Sequence, residues 1–186
     1  PGPGFFFFYM AINHSMKKIL KALSFDGIEV EAARHLASLK AIDPMKIFHK
    51  TIDYKIYNGD YEVPVRIYLP REKVTEDLPV FLFFHGGGWV TDCIDNYERI
   101  CARLASATEH IVVSVEYRLA PEHPFPTGFL DCYAVAKAIY TNRFILNVNP
   151  QRITLIGDSA GGNLAAAVSL KARDDGIFKP QRQILI

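Results

Sequence analysis

The chain has 186 residues, of which 49% are hydrophobic and 22% charged. That balance belongs to a folded globular protein and excludes wholesale disorder. Lys plus Arg (21) nearly cancels Asp plus Glu (20), the sequence pI is near 8.2, and no block of like charge occurs, which argues against a dedicated nucleic-acid binder.

The length corresponds to one domain or slightly more, at ~100–200 residues each, and can bury a core without staples. Cys93, Cys101 and Cys132 are odd in number and form no C-x-x-C pair. A disulfide framework and a zinc site both lose support. Isolated cysteines of this kind read as small buried hydrophobes, and a reducing, cytoplasmic compartment fits them best.

Residues 1–15 open with Pro1-Gly2-Pro3-Gly4 and run into Phe5-Phe6-Phe7-Phe8. The apolar stretch is too short for a membrane span, which needs roughly 20 residues. Lys17 and Lys18 follow it, whereas a secretory signal places its charges first. Met16-Lys17-Lys18 reads as a natural start, so residues 1–15 are expected to be a cloning scar or a mis-called upstream extension. The competing reading is a membrane-touching tail.

Residues 16–44 read as a helical segment. Ile19, Leu20 and Leu23 cluster, then Ile28, Ala32, His35, Leu36 and Leu39 recur at helical spacing, until Asp43-Pro44 breaks the pattern. Residues 45–186 form the main domain. Phe48 to Tyr57 predicts a strand, Asn58-Gly59-Asp60 a hairpin turn, and Val63 to Leu69 the return strand. Pro64, which cannot donate a ladder hydrogen bond, suits an edge position.

Val80 to Phe84 is a continuous apolar run, as expected of a strand buried on both faces. Tyr97, Ile100, Cys101, Leu104 and Ala105 then predict a helical face. Ile111 to Val115 is a second buried strand, followed by a helical stripe of Phe129, Cys132, Tyr133, Ala136, Ile139 and Tyr140. Ile153 to Ile156 is a third, followed by Leu164, Ala165, Val168 and Ala172. Gln183 to Ile186 begins a fourth, expected as an exposed edge. Buried strands alternating with helices predict an α/β fold, a mostly parallel sheet with helices on both faces after an N-terminal antiparallel hairpin. No internal repeat is present.

Two strand ends carry chemistry. Gly157-Asp158-Ser159-Ala160-Gly161 directly follows the third buried strand and opens a helix, the context in which G-x-S-x-G presents an exposed serine nucleophile at a helix N-terminus. His85-Gly86-Gly87-Gly88-Trp89 follows the first buried strand. Consecutive glycines are costly to order, and an oxyanion hole needs such bare backbone for N–H donors to approach a developing negative oxygen. The loop lacks the spacing of a phosphate-binding loop.

With these motifs and the segment Tyr117-Arg118-Leu119-Ala120-Pro121-Glu122-His123-Pro124-Phe125-Pro126 between them, the chain resembles the hormone-sensitive-lipase-like family of α/β-hydrolases, the bacterial carboxylesterase and acetyl-hydrolase group. The likeness runs from about Phe48 to the end, and the helical segment before it is similar to part of that family's cap.

The resemblance implies an α/β-hydrolase fold and hydrolysis of short-chain carboxylic esters through an acyl-enzyme. It implies Ser159 as nucleophile and the N–H groups of Gly87, Gly88 and Ala160 as oxyanion hole. His85 and Gly86 would shape the loop and Trp89 would line a substrate pocket. Tyr117 to Pro126 would be a structural segment in which Arg118 and Glu122 form a buried polar pair, and Asp158 would point away from the chemistry. No metal or organic cofactor is expected: Glu109-His110 and Glu122-His123 are adjacent pairs without H-E-x-x-H spacing. The partner is a small-molecule ester, with no nucleic acid and no membrane span, and with a homodimer open to the complete protein.

The family order is Ser, then Asp or Glu, then His. After Ser159 come Asp174 and Asp175, at the end of the next helix, and no histidine. His14, His35, His49, His85, His110 and His123 all precede the serine. The chain is therefore expected to be the N-terminal part of an esterase whose later strands, acid and base lie elsewhere. The alternative is a non-catalytic small-molecule-binding protein on this scaffold, or an inactive truncated product.

Overall fold

The computed structural model describes residues 30–35, 51–59, 61–70, 78–141, 144–146 and 148–186. Residues 1–15, and most of the helical segment expected over 16–44, lie outside them. Residues 30–35 are helical, with Val30 buried and Ala33 and Arg34 half-buried. Ala32 and His35, expected on the inward face, are exposed. The inward face of this turn is made instead by Val30, Ala33 and Arg34.

Six strands form one sheet in the order β1-β2-β4-β3-β5-β6. β1 (Thr51–Asn58) and β2 (Tyr61–Tyr68) make the antiparallel hairpin. Its turn depends on Gly59, whose φ of +68° lies in the left-handed region that favours glycine. Then follow β3 (Val80–Phe84), α1 (Ile94–Thr108), β4 (Ile111–Val115), α2 (Thr127–Tyr140), β5 (Ile153–Gly157), α3 (Ala160–Asp175) and β6 (Arg182–Leu185). β3 pairs in parallel with β4 and β5, and β5 with β6.

β2 is not an edge strand, contrary to the expectation from Pro64, because it also pairs antiparallel with β4 from Val65 to Tyr68. Pro64 is tolerated because it stands one residue outside that ladder. Its carbonyl still accepts the Glu116 N–H at 3.0 Å, and the N–H it lacks would face the same side, past the end of β4.

Alternation along β3 divides the core. Val80, Leu82 and Phe84 join Cys132, Ala136, Ile139, Leu164 and Val168 from α2 and α3 on one face. Phe81 and Phe83 join Cys101, Ala102 and Ala105 from α1 on the other. Ile100, expected on the α1 stripe, is 52% exposed. At about 100° per residue it lies a quarter-turn round from Cys101, and the small residues Ala102 and Ala105 take the buried side instead.

Cys101 and Cys132 are buried, and burial pushes the Cys101 thiol up to about 12. Cys93 is half-buried at the start of α1. β6 presents its residues to solvent, with Ile184 and Leu185 exposed along its length. Among the described residues no helix is long and apolar enough to cross a membrane.

Candidate active site

β3 and β5 are parallel neighbours with Phe84 opposite Gly157, so the two glycine motifs leave the sheet side by side at its carboxyl end. Ser159 stands between β5 and α3 with φ 51° and ψ −115°, a conformation that L-residues avoid and that persists only when the surroundings enforce it. The surroundings are bare backbone. A Cβ on Gly161 would overlap the Phe84 carbonyl and stand 2.7 Å from the His85 oxygen, while one on Gly157 would overlap Gly161 and stand 2.7 Å from the Phe84 oxygen. The glycines of the serine motif are therefore required by contact with the strand that carries the other motif.

Ile186 ties the elbow from the opposite side. Its N–H donates to Gly157 O (3.0 Å) and its carbonyl accepts the Ser159 N–H (2.8 Å). The Ser159 carbonyl accepts from Asn163 N–H and starts α3. The N-terminus of that helix, with its positive dipole end, lies at the serine.

The loop after β3 is a run of left-handed residues: Gly87 (φ +101°), Gly88 (φ +62°) and Trp89 (φ +63°). It closes on itself, since the Gly87 carbonyl accepts from Val90 N–H, Thr91 N–H and the Thr91 hydroxyl at 2.9–3.1 Å. Gly86 N–H donates to the Tyr97 hydroxyl (3.2 Å). Among the described residues, the N–H groups of Gly87, Gly88 and Ala160 have no hydrogen-bond partner.

His85 is fully buried beneath this loop, stacked on Tyr117 at 4.3 Å, with Nδ1 2.8 Å from the Gly86 carbonyl. That contact fits a neutral ring donating from Nδ1. Burial holds the imidazole below its ordinary 6.5. The Tyr117 hydroxyl donates to the His85 carbonyl (2.8 Å). His110 belongs to the opposite end of the sheet, stacked on Phe81 just before β4.

Asp158 turns under the loop. Its Oδ2 accepts from the Tyr97 hydroxyl (2.7 Å), so Tyr97 joins the serine motif to Gly86. Burial, and then the bond to Asp158, push the Tyr97 phenol above its ordinary range and keep it protonated. Trp89 is 46% exposed and borders a cleft of about 430 Å³ with Gly88, Phe125, Phe129, Asn163 and Leu164.

The expected Arg118–Glu122 pair does not form. Arg118 makes a bidentate pair with Asp131 (2.8 and 2.9 Å), stacks over Tyr61, and donates its backbone N–H to the same carboxylate. Asp131 is fully buried and also accepts from Asn58 (2.8 Å). Glu122 is exposed and pairs with Arg34. The resemblance implied a buried pair within this segment, but each residue finds a partner outside it, Arg118 in α2 and Glu122 in the helical turn at residues 30–35.

Asp131 and Arg34 are not singled out by the sequence, and Tyr97 enters it only as part of a helical stripe, with no role at the site. Tyr97 carried a signal, being the one polar-tipped residue on the α1 stripe; for the other two no local pattern announces the partner.

A serine held at a strained strand-to-helix turn, beside a glycine loop from the adjacent parallel strand, defines an α/β-hydrolase. The family described as "alpha/beta hydrolase fold" matches residues 81–186, and the chain belongs to it, in its hormone-sensitive-lipase-like branch of hydrolases. It is 41% identical over 155 residues to carboxylesterase NlhH of Mycobacterium tuberculosis, covering 81% of this chain and 47% of that protein. It is 39% identical over 151 residues to an arylesterase of Saccharolobus solfataricus, covering 81% and 48%. A hyperthermophilic esterase from the archaeon Pyrobaculum calidifontis superposes with a TM-score of 0.72 at 35% identity, covering 94% of this chain and 57% of that one. The chain spans about half the length of the curated relatives it matches.

Proposed function

We propose that this chain carries the nucleophile and oxyanion half of a serine carboxylesterase acting on short-chain esters, the acid and base coming from a further part of the protein. The observation that carries the reading is Ser159 itself: a non-glycine residue at φ 51° on a helix N-terminus, facing a glycine loop with unengaged N–H groups. Packing alone gives no reason to place a serine there, since glycine would relieve the strain.

In this reading Ser159 Oγ attacks the ester carbonyl carbon as a base removes its proton. The carbonyl oxygen becomes an oxyanion and is held by the N–H groups of Gly87, Gly88 and Ala160. Collapse of the tetrahedral intermediate breaks the bond to the alkoxy oxygen, which leaves protonated as the alcohol. Water then attacks the acyl-serine and releases the acid.

His85 serves the loop from below; its burial and its Nδ1 contact support that role over that of base. Trp89 and the aromatic-rimmed cleft beside it would take one arm of the substrate. The related carboxylesterase and arylesterase support ester chemistry.

The test uses the whole protein with short p-nitrophenyl esters and a fluorophosphonate probe. Ser159→Ala is expected to abolish labelling and to reduce turnover to the residual ~10³–10⁴-fold over water that an oxyanion hole and binding supply without a nucleophile. Full activity in that variant, or an unlabelled serine in the wild type, overturns the reading; the latter favours a binding protein on the same scaffold.

A further inference from the structure

Arg34 reaches into the site region from the helical turn at residues 30–35. Its Nε donates to the Val90 carbonyl (2.8 Å) and Nη2 to the Ala120 carbonyl (3.0 Å). Nη1 and Nη2 each donate to one oxygen of Glu122 (2.9 Å). Ala120 N–H in turn donates to the Trp89 carbonyl (2.9 Å). One guanidinium thus joins the N-terminal helical turn, the glycine loop and the segment before α2.

Only the planar fork of arginine makes this set of bonds; an ammonium is a point donor. As an ion pair the contact matters little, because Arg34 is 30% and Glu122 54% exposed at the side chain. The carbonyl bonds matter more. Val90 is the residue that returns the loop to Gly87, and the loop contains three successive left-handed residues that relax unless held from outside.

We propose that Arg34 is a positioning residue. By clamping the Val90 and Ala120 carbonyls, it couples seating of the helical turn at residues 30–35 to the geometry of the Gly87–Trp89 loop. The oxyanion donors reach their working positions when that turn is docked. The kinetic side of this inference rests on the esterase reading; the structural side does not.

Trp89 is the only tryptophan among these 186 residues, and the difference in emission between each protein and its Trp89→Phe counterpart isolates its signal as a report on the loop. In the whole protein, Arg34→Ala is expected to shift the Trp89 emission to the red and to raise its quenching by acrylamide. Turnover should fall about tenfold with KM nearly unchanged, less than the 10²–10³ lost with a whole oxyanion donor. Arg34→Lys should resemble Arg34→Ala, because charge without the fork cannot hold two carbonyls and a carboxylate. Glu122→Gln should shift Trp89 in the same direction by less. Asp53→Ala, which breaks a surface pair with Arg66 elsewhere on the sheet, should leave Trp89 unmoved.

Unchanged Trp89 fluorescence in a folded Arg34→Ala protein overturns the inference, as does full rescue by lysine. If Arg34→Ala does not fold, the lysine and Glu122→Gln variants decide it, and no shift in either overturns it. If the wild-type protein hydrolyses no ester, the esterase reading fails while the fluorescence still decides whether Arg34 holds the loop.

Discussion

Replacing Gly161 by alanine should damage the protein through steric overlap alone. The position has no left-handed φ, so the new residue incurs no conformational penalty and the whole cost is steric. Its Cβ would lie inside contact distance of three backbone atoms: the Phe84 oxygen, the Phe84 carbon at 2.6 Å and the His85 oxygen at 2.7 Å. None of these is the free end of a flexible side chain. Phe84 is fully buried and paired to both β4 and β5, so relief requires moving the end of β3 or the start of α3. Overpacking in a core costs about 1–3 kcal/mol, and contact with a paired central strand places this case at about 3 kcal/mol.

Gly176 supplies the internal control. It caps α3 with φ +65° and has nothing within 4 Å of an added Cβ, so Gly176→Ala costs only the left-handed penalty of about 1–2 kcal/mol. Thermal or urea unfolding of the two variants measures the difference. At roughly 2–4 °C per kcal/mol for a chain of this size, Gly161→Ala should melt several degrees below Gly176→Ala. Equal melting temperatures would show that β3 and α3 can part without cost, and the account of why the serine motif needs glycine would be wrong.

Three further outcomes are expected. Ser159→Gly should be more stable than Ser159→Ala by about 1 kcal/mol, the strain relieved less the entropy that glycine adds to the unfolded chain; a denaturation midpoint no higher than that of the alanine variant argues against strain at φ 51°. Asp131→Ala should destabilise by about 3–5 kcal/mol, because it leaves the mostly buried Arg118 guanidinium without its carboxylate, while Glu122→Ala, on the exposed pair, should cost under about 1 kcal/mol; similar losses in equilibrium unfolding contradict the observed pairing. His85 has a depressed pKa in the folded protein, so below pH 6.5 the unfolded chain binds a proton that the folded one refuses. Its contribution is complete above 6.5 and is lost as pH falls toward the folded value, with a slope of at most about 1.4 kcal/mol per pH unit; His85→Phe should flatten that part of the stability–pH curve, and an unchanged slope would assign the acid lability elsewhere.

The sheet was readable wherever burial acts on both faces of a strand. Val80–Phe84 and Ile111–Val115 are continuous apolar runs because α1 covers one side and α2 and α3 the other, and their observed limits match the runs. The hairpin was readable from its turn, though Pro64 misdirected the edge assignment, since a proline one residue outside a ladder looks the same in sequence as one on a free edge. What could not be read was pairing at a distance. Asp131 finds Arg118 across a turn, Asp158 finds Tyr97 from 61 residues away, and Glu122 finds Arg34 from 88 residues away. The resemblance put Arg118 with Glu122, and nothing in the intervening residues says that Asp131 lies beneath.

The same distance effect changes what the two glycine motifs mean. Read along the chain, they are separate features some seventy residues apart, one for a nucleophile and one for an anion. In the fold they are a single contact. Gly157 and Gly161 are glycines because Phe84 and His85 occupy the space a side chain would need, and Gly86 is held through Tyr97 by the aspartate beside the serine. The strained backbone at Ser159 is thus enforced from two sides, by the end of β3 through Gly161 and by Ile186 after β6 through the Gly157 and Ser159 hydrogen bonds. A displacement of either neighbour changes the serine and its facing loop together. Co-occurrence of the two motifs is stronger evidence for the site than either motif alone, because each supplies the packing reason for the other's glycines.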